Sequence, residues 1–124
     1  MAREGRTQLT YVIVAPPELA AEGDRIFRSH RSWMEATHYR EGDKALLSYD
    51  VSKAEELSNP LDPNSEPTGN TIFVLSEVYQ TDAGVFDHFE QAAATWVDYG
   101  AMVNWLEICG ATAVARARIF NSLW

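Results

Sequence analysis

Of the three histidines in this 124-residue chain, His30, His38 and His88, His30 is the candidate for proton transfer near neutral pH. His30 falls in the middle of an apolar helical stripe that also contains Phe27 and Trp33. A buried imidazole is costly unless its ring nitrogens find partners. His30 is therefore either a hydrogen-bonded core residue or a proton carrier or ligand donor in a cavity. In both cases burial should keep it largely neutral at pH 7.

The other ionisable candidates are His88, Glu77 and two arginines. His88 lies at the flank of a later apolar stripe, where a histidine meets solvent, a subunit boundary or the mouth of a pocket. Arg116 and Arg118 share one face of the last predicted strand, and Glu77 on a neighbouring strand could pair with one of them. Such a pair would fix a dimer interface, whereas free guanidinium groups would stabilise a phenolate or an enolate.

Aromatic residues accompany these groups and could form stacking walls for a flat substrate, or simply core. They are Phe27, Trp33, Tyr49, Tyr79 and Trp96. The three histidines show no metal-ligand spacing and Cys109 has no partner cysteine, so we expect no metal site. The chain also contains neither a glycine-rich phosphate loop nor the sequence of a nucleophile elbow.

Composition narrows the class of protein. Acidic residues outnumber basic ones 18 to 10, and the formal net charge of -8 argues against nucleic acid or an anionic membrane as a partner. A hydrophobic fraction of 46% can form a core, and the lone cysteine fits a reducing compartment. No apolar run approaches the ~20 residues of a membrane helix. We therefore expect one cytoplasmic domain that spans residues 1–124.

The hydrophobic pattern predicts six main elements. Alternation predicts a strand over residues 8–15, and a period of 3.6 predicts an amphipathic helix over 18–36. A second strand contains Leu47, Tyr49 and Val51, and a third covers 71–79. Between them, Lys53 to Asn70 is rich in Pro, Asn and Ser and predicts a long, mobile loop.

After the third strand, Asp82 is predicted to cap a second helix that ends at Gly100. A short helix then covers residues 102–109, with Gly110 as its C-terminal cap, and a last strand covers 111–120. The order βαββαβ predicts an α+β, ferredoxin-like fold, with helices on one face of a four-stranded antiparallel sheet. Because the first and third strands are apolar on both faces, we expect a homodimer that packs sheet on sheet.

A resemblance to a known family lies in the run from Ser76 to Ala83, SEVYQTDA, and in Phe86, His88 and Phe89 after it. This passage resembles the strand, turn and helix of the dimeric α+β barrel proteins, especially those related to antibiotic-biosynthesis monooxygenases. In that group, an acidic residue and an aromatic on the third strand precede a helix that carries a histidine. The resemblance implies an oxygenase that binds an aromatic polyketide between helix and sheet without a bound cofactor.

From the residues and the resemblance together we expect the following roles. His30, Arg116 and Tyr79 are the catalytic candidates, and Glu77 and His88 are the candidates for the interface. The substrate-binding candidates are Phe27, Trp33, Tyr49, Trp96 and Arg118.

Two alternatives to an oxygenase remain open. The first is a dimeric domain that binds a small apolar molecule, or serves as an accessory module, without catalysis. The second is a haem-handling protein, because haem-degrading relatives share the fold and His30 or His88 could be the axial ligand.

Overall fold

The computed structural model describes residues 2–124, which form one four-stranded sheet and three helices. In chain order the elements are β1 (Thr7–Ala15), α1 (Pro17–Thr37), β2 (Leu46–Leu57), β3 (Pro67–Tyr79), α2 (Asp82–Thr95), α3 (Tyr99–Ile108) and β4 (Thr112–Arg118). The strands lie in the order β2-β3-β1-β4, and every neighbouring pair is antiparallel. The expected α+β class and the antiparallel four-stranded sheet are confirmed.

The core lies between the helices and one face of the sheet. On β1, Leu9 and Ile13 are fully buried, and their partners across β3 are Glu77 and Phe73. Phe73 packs against Phe27 of α1 and Trp105 of α3, with ring centroids 5.8 and 5.3 Å apart. Alternation along the central strands therefore supplies one continuous surface on which the helices pack.

The long loop predicted for Lys53 to Asn70 is wrong, because β2 and β3 continue into most of it. Only residues 58–66 form the connection, and Ser58 N–H donates to the carbonyl of Glu66 at 2.8 Å. Beyond it, Glu56 accepts hydrogen bonds from Thr68 and Asn70 across the two strands. Charged residues are ordinary on an edge strand, so the polar composition of this stretch did not exclude pairing.

The predicted ends of α2 also need correction. Thr81, not Asp82, is the N-cap: its hydroxyl accepts from the Ala83 N–H at 3.1 Å, whereas Asp82 accepts from Thr7 Oγ1. The helix ends at Thr95 rather than at Gly100, which lies in the first turn of α3. The chain turns at residues 96–98 because α1 holds it there, with Ser29 donating to Asp98 and Trp96 donating to Ser29.

The last part of the chain follows the prediction more closely. Gly110 has a φ of +62° directly after the C-cap of α3, as expected of a glycine that ends a helix. The final strand is shorter than the predicted 111–120 and covers Thr112–Arg118.

The sheet face opposite the helices carries apolar side chains that remain exposed. Val12 of β1 is 39% exposed and Val114 of β4 is 48% exposed.

None of the helices in residues 2–124 combines the length and the apolar character needed to cross a bilayer.

Candidate functional site

The site is centred on Glu77, which lies on β3 between β1 and β2. Its register partners are Leu9 on one side and Tyr49 on the other, so its side chain points toward the helices from the middle of the sheet. It is completely buried. Tyr79, two residues further along the same face, donates a hydrogen bond of 2.5 Å to Glu77 Oε1. The second oxygen, Oε2, has no hydrogen-bond partner among residues 2–124.

His30 projects from α1 toward Glu77. Its Nε2 lies 3.9 Å from Glu77 Oε2, and its Nδ1 is hydrogen-bonded to the Tyr49 hydroxyl at 2.9 Å. Only 2% of His30 is exposed. The periodicity that places His30 on the apolar stripe of α1 thus brings it to Glu77, the one buried carboxylate among residues 2–124.

His88 approaches the same carboxylate from α2. Its Nδ1 lies 3.9 Å from Glu77 Oε1 and 2.9 Å from Nε2 of His38. His38 is the C-cap of α1, and its Nδ1 is hydrogen-bonded to Thr37 Oγ1 at 3.0 Å. His88 and Glu77, which we expected at a subunit boundary, are buried within this chain, between the helices and the sheet.

Two local features hold the helices close to the site. Gly84, in the first turn of α2, allows this helix to rest on the ring of Tyr79, because a Cβ there would lie 2.5 Å from Tyr79 Cδ1. Trp33 and Trp96 stack with ring centroids 5.7 Å apart, and their indole N–H groups donate to Thr95 and Ser29. The aromatic side chains therefore lock α1 against α2 around the histidines.

Burial keeps the central groups uncharged at neutral pH. It lowers the pKa of His30 to about 3 and the pKa of His88 to about 3, and the neighbouring histidines add to both shifts. It also lowers the pKa of His38. Burial raises the pKa of Glu77 to about 8, although the hydrogen bond from Tyr79 opposes this shift. The expected neutrality of His30 agrees with these directions.

A cleft of about 280 Å³ opens to solvent between α1 and β2. Tyr49 and His38 both border it, and each is hydrogen-bonded on its inner side to one of the buried histidines. The remaining lining combines charged and apolar groups: Arg31, Met34, Glu35, Tyr39, Arg40, Leu46, Leu47 and Ser48. A ligand in this cleft would therefore contact Tyr49 and His38, the outer neighbours of the buried histidines. A neighbouring recess of about 390 Å³ shares Arg31 and Tyr49 and includes Phe27.

A smaller cavity of about 80 Å³ lies deeper and is bordered by His30, His88 and apolar side chains that include Trp96 and Met102. Pockets that hold drug-sized ligands measure roughly 300–1,000 Å³. Haem does not fit this cavity beside either histidine. The space is suited to a few small atoms, such as those of water or dioxygen.

The two predicted arginines do not join the cluster. Arg116 contacts Asp82 at 3.2 Å and lies over the ring of Phe86, and Arg118 donates to the Gly5 carbonyl. Glu77 pairs with neither of them, because β1 separates β3 from β4. The expected substrate residues Trp33, Tyr49 and Trp96 surround His30, with ring centroids within 6 Å of its own.

Sequence reasoning missed His38 as part of the site, and it missed Glu77 as the centre. His38 follows the predicted end of the first helix, where no periodicity indicates its direction. Glu77 could have been noticed as the one carboxylate within the apolar run of residues 71–79. A charge inside a strand that is covered on both faces is itself a functional signal.

A scan against models of protein families, a search of curated proteins and a search of solved structures each found no match to this chain. The geometry and chemistry of the site are therefore the basis for a functional inference.

Proposed function

We propose that this protein is a small monooxygenase-like enzyme that takes a planar phenolic or enolic molecule, of the aromatic polyketide kind, into the cleft between α1 and β2. One observation carries the proposal: Tyr49 and His38 border the cleft, and each is hydrogen-bonded to a buried histidine beside Glu77. An acidic hydroxyl of a ligand bound here could donate its proton to Tyr49 or to His38. Each of these residues is hydrogen-bonded to a histidine in the interior.

The charges and apolar surface of the cleft suit such a ligand. Arg31 and Arg40 border the cleft and outweigh Glu35 on the same wall, so a phenolate or enolate would be stabilised there. Met34 and Leu46 supply apolar contact for rings. The volume of about 280 Å³ lies near the lower end of the range for small-molecule pockets.

The proposed reaction needs no organic cofactor, because the substrate supplies the electrons. Loss of the acidic proton gives an electron-rich enolate that reduces dioxygen. One oxygen atom converts a ring CH₂ group into C=O, and the other leaves as water. The protein has to orient the ring, stabilise the anion and accept the proton, and Tyr49 and His30 are positioned for the last task.

Oxygen consumption with an anthrone-like phenol, measured in the presence of a metal chelator, tests the proposal. Tyr49→Phe removes the hydroxyl that joins the cleft to His30, and the rate should fall about 100-fold. Tyr39→Phe is the matched control on the same cleft wall and should keep the rate within about threefold. Binding without oxygen consumption by the wild-type protein would instead favour the non-catalytic ligand-binding domain.

We further propose that the fold is ferredoxin-like and that two copies pack through the open sheet faces, as in a dimeric α+β barrel. The strand order β2-β3-β1-β4 and the placement of the helices on one face support this arrangement. So do the exposed valines, Val12 and Val114, on the opposite face.

A further inference from the structure

We propose that His30, Glu77 and His88 form a binding site for one divalent first-row transition metal ion, with Zn²⁺ and Fe²⁺ as the candidate ions. Each residue offers one ligand atom, and these atoms all lie within 4.8 Å of one another. All three side chains are buried. Each comes from a different element, α1, β3 and α2, so the site exists only in the folded chain.

The separations allow metal binding with small side-chain movements. For three atoms that are at most 4.8 Å apart, there is always a point that lies within about 2.8 Å of all three. Zinc binds imidazole nitrogen at roughly 2.0–2.1 Å and carboxylate oxygen at roughly 2.0–2.2 Å. Each ligand therefore needs to move by less than about 1 Å, which rotation of the side chains supplies without moving the backbone.

An independent observation also points to a ligand. Glu77 Oε2 is buried and has no hydrogen-bond partner among residues 2–124, although His30 Nε2 is only 3.9 Å away. A carboxylate oxygen in the core without a partner is costly, and native proteins rarely leave one. A cation between Glu77 and the two histidines would satisfy this oxygen.

Hydrogen bonds from neighbouring residues orient the three side chains, as they orient the ligands in known metal sites. The Nδ1 atom of His30 is hydrogen-bonded to Tyr49, which leaves Nε2 directed at Glu77. Tyr79 fixes Glu77 through Oε1. His38 links His88 to the outer cleft and marks the path by which an ion would enter.

The donor set selects the class of ion. Two imidazole nitrogens and one carboxylate oxygen suit zinc and ferrous iron, whereas Mg²⁺ and Ca²⁺ prefer oxygen ligands. Three protein ligands leave a further coordination position open. The cavity of about 80 Å³ is bordered by His30 and His88 and has room for a water molecule or another small ligand.

The site goes beyond the proposed function, which requires only the outer cleft and the hydrogen bonds behind it. If oxygen consumption persists in chelator while no metal binds, the proposed function stands and the metal site does not. If metal binds but the phenol is not oxidised, the metal site stands alone.

The test is titration of the chelator-treated protein with Zn²⁺, and with Fe²⁺ under anaerobic conditions, by calorimetry, with Mg²⁺ as the comparison ion. We expect one Zn²⁺ or Fe²⁺ per chain and no uptake of Mg²⁺. Glu77→Gln should weaken Zn²⁺ binding at least 100-fold. Glu90→Gln, an exposed glutamate on the same helix as His88, should bind as the wild type does.

X-ray absorption of the zinc-loaded wild-type protein keeps the proposal testable even if Glu77→Gln folds poorly. We expect two imidazole ligands and additional oxygen ligands in the first coordination shell. An all-oxygen shell, the absence of saturable uptake, or equal affinity in Glu77→Gln and Glu90→Gln would overturn the proposal.

Discussion

His30 and Glu77 face each other in the buried interior of the fold, with Nε2 and Oε2 3.9 Å apart. This separation is too long for a hydrogen bond, and burial favours the neutral form of both side chains. The two residues therefore form an uncharged pair rather than an ion pair.

The stability of the metal-free protein should pass through a maximum near pH 6.5. From about pH 3 to 6.5 the unfolded chain binds protons on His30 and His88 that the folded chain does not bind, so stability rises with pH. From about pH 4.5 to 8 the folded chain keeps a proton on Glu77 that the unfolded chain has lost, so this group lowers stability as pH rises. The two histidines outweigh Glu77 below about pH 6.5, and Glu77 outweighs them above it.

Urea unfolding in chelator from pH 4 to 8.5 measures this profile. From pH 6.5 to 8.5 the free energy of unfolding should fall by about 1 kcal/mol in total, because the histidines of the unfolded chain offset part of the Glu77 contribution until about pH 7.5. Glu77→Gln cannot ionise and should lose this alkaline fall, whereas Glu90→Gln should keep it. A Glu77→Gln variant with the wild-type alkaline slope would contradict the assignment to Glu77.

His30→Gln separates a structural histidine from one that takes part in the reaction. Glutamine keeps the polarity and approximate size, so we expect the free energy of unfolding to fall by only about 1–2 kcal/mol. Oxygen consumption with the phenol should fall about 100-fold, because the proton acceptor behind Tyr49 is lost. Stability and rate must be measured on the same preparation. An unchanged rate would remove His30 from the mechanism.

Limited proteolysis should cut the β2–β3 hairpin only at its tip. Leu61 is 92% exposed in the connection, so chymotrypsin should cleave there first. Lys53 lies within β2 and pairs with Asp24 at 2.7 Å, so trypsin should cleave after it slowly. Rapid tryptic cleavage at Lys53 would mean that the strands do not extend into this region in solution.

Sedimentation at micromolar concentration should give about twice the chain mass of 13.9 kDa. Val12→Lys places a charge in the middle of the open sheet face and should yield the monomer. Val97→Lys makes the same change at a valine that is 91% exposed in the turn before α3, and it should leave the dimer intact. A well-folded wild-type monomer would refute pairing through the sheet.

The sequence alone determined the elements and their faces, because side-chain periodicity is a local property. Alternation placed Leu9 and Ile13 on one face of β1, and the 3.6-residue period placed Phe27 and His30 on the buried face of α1. All four side chains are buried as expected. The extent of the hairpin was not predictable in this way, because Lys53 to Leu57 pair through backbone groups that do not depend on residue type.

Only the tertiary structure determines which residues the polar side chains contact. His30 lies far from Glu77 and His88 along the chain, and no sequence spacing indicated that the three would meet, yet packing of α1 and α2 on β3 brings their ligand atoms within 4.8 Å of one another. The same packing directs Arg116 to Asp82 at the β4 edge instead of to this cluster. The hydrophobic effect is non-directional, so a local pattern of apolar residues is enough to predict which face is buried. A polar contact requires two particular atoms at a particular distance, and only the complete fold brings them together.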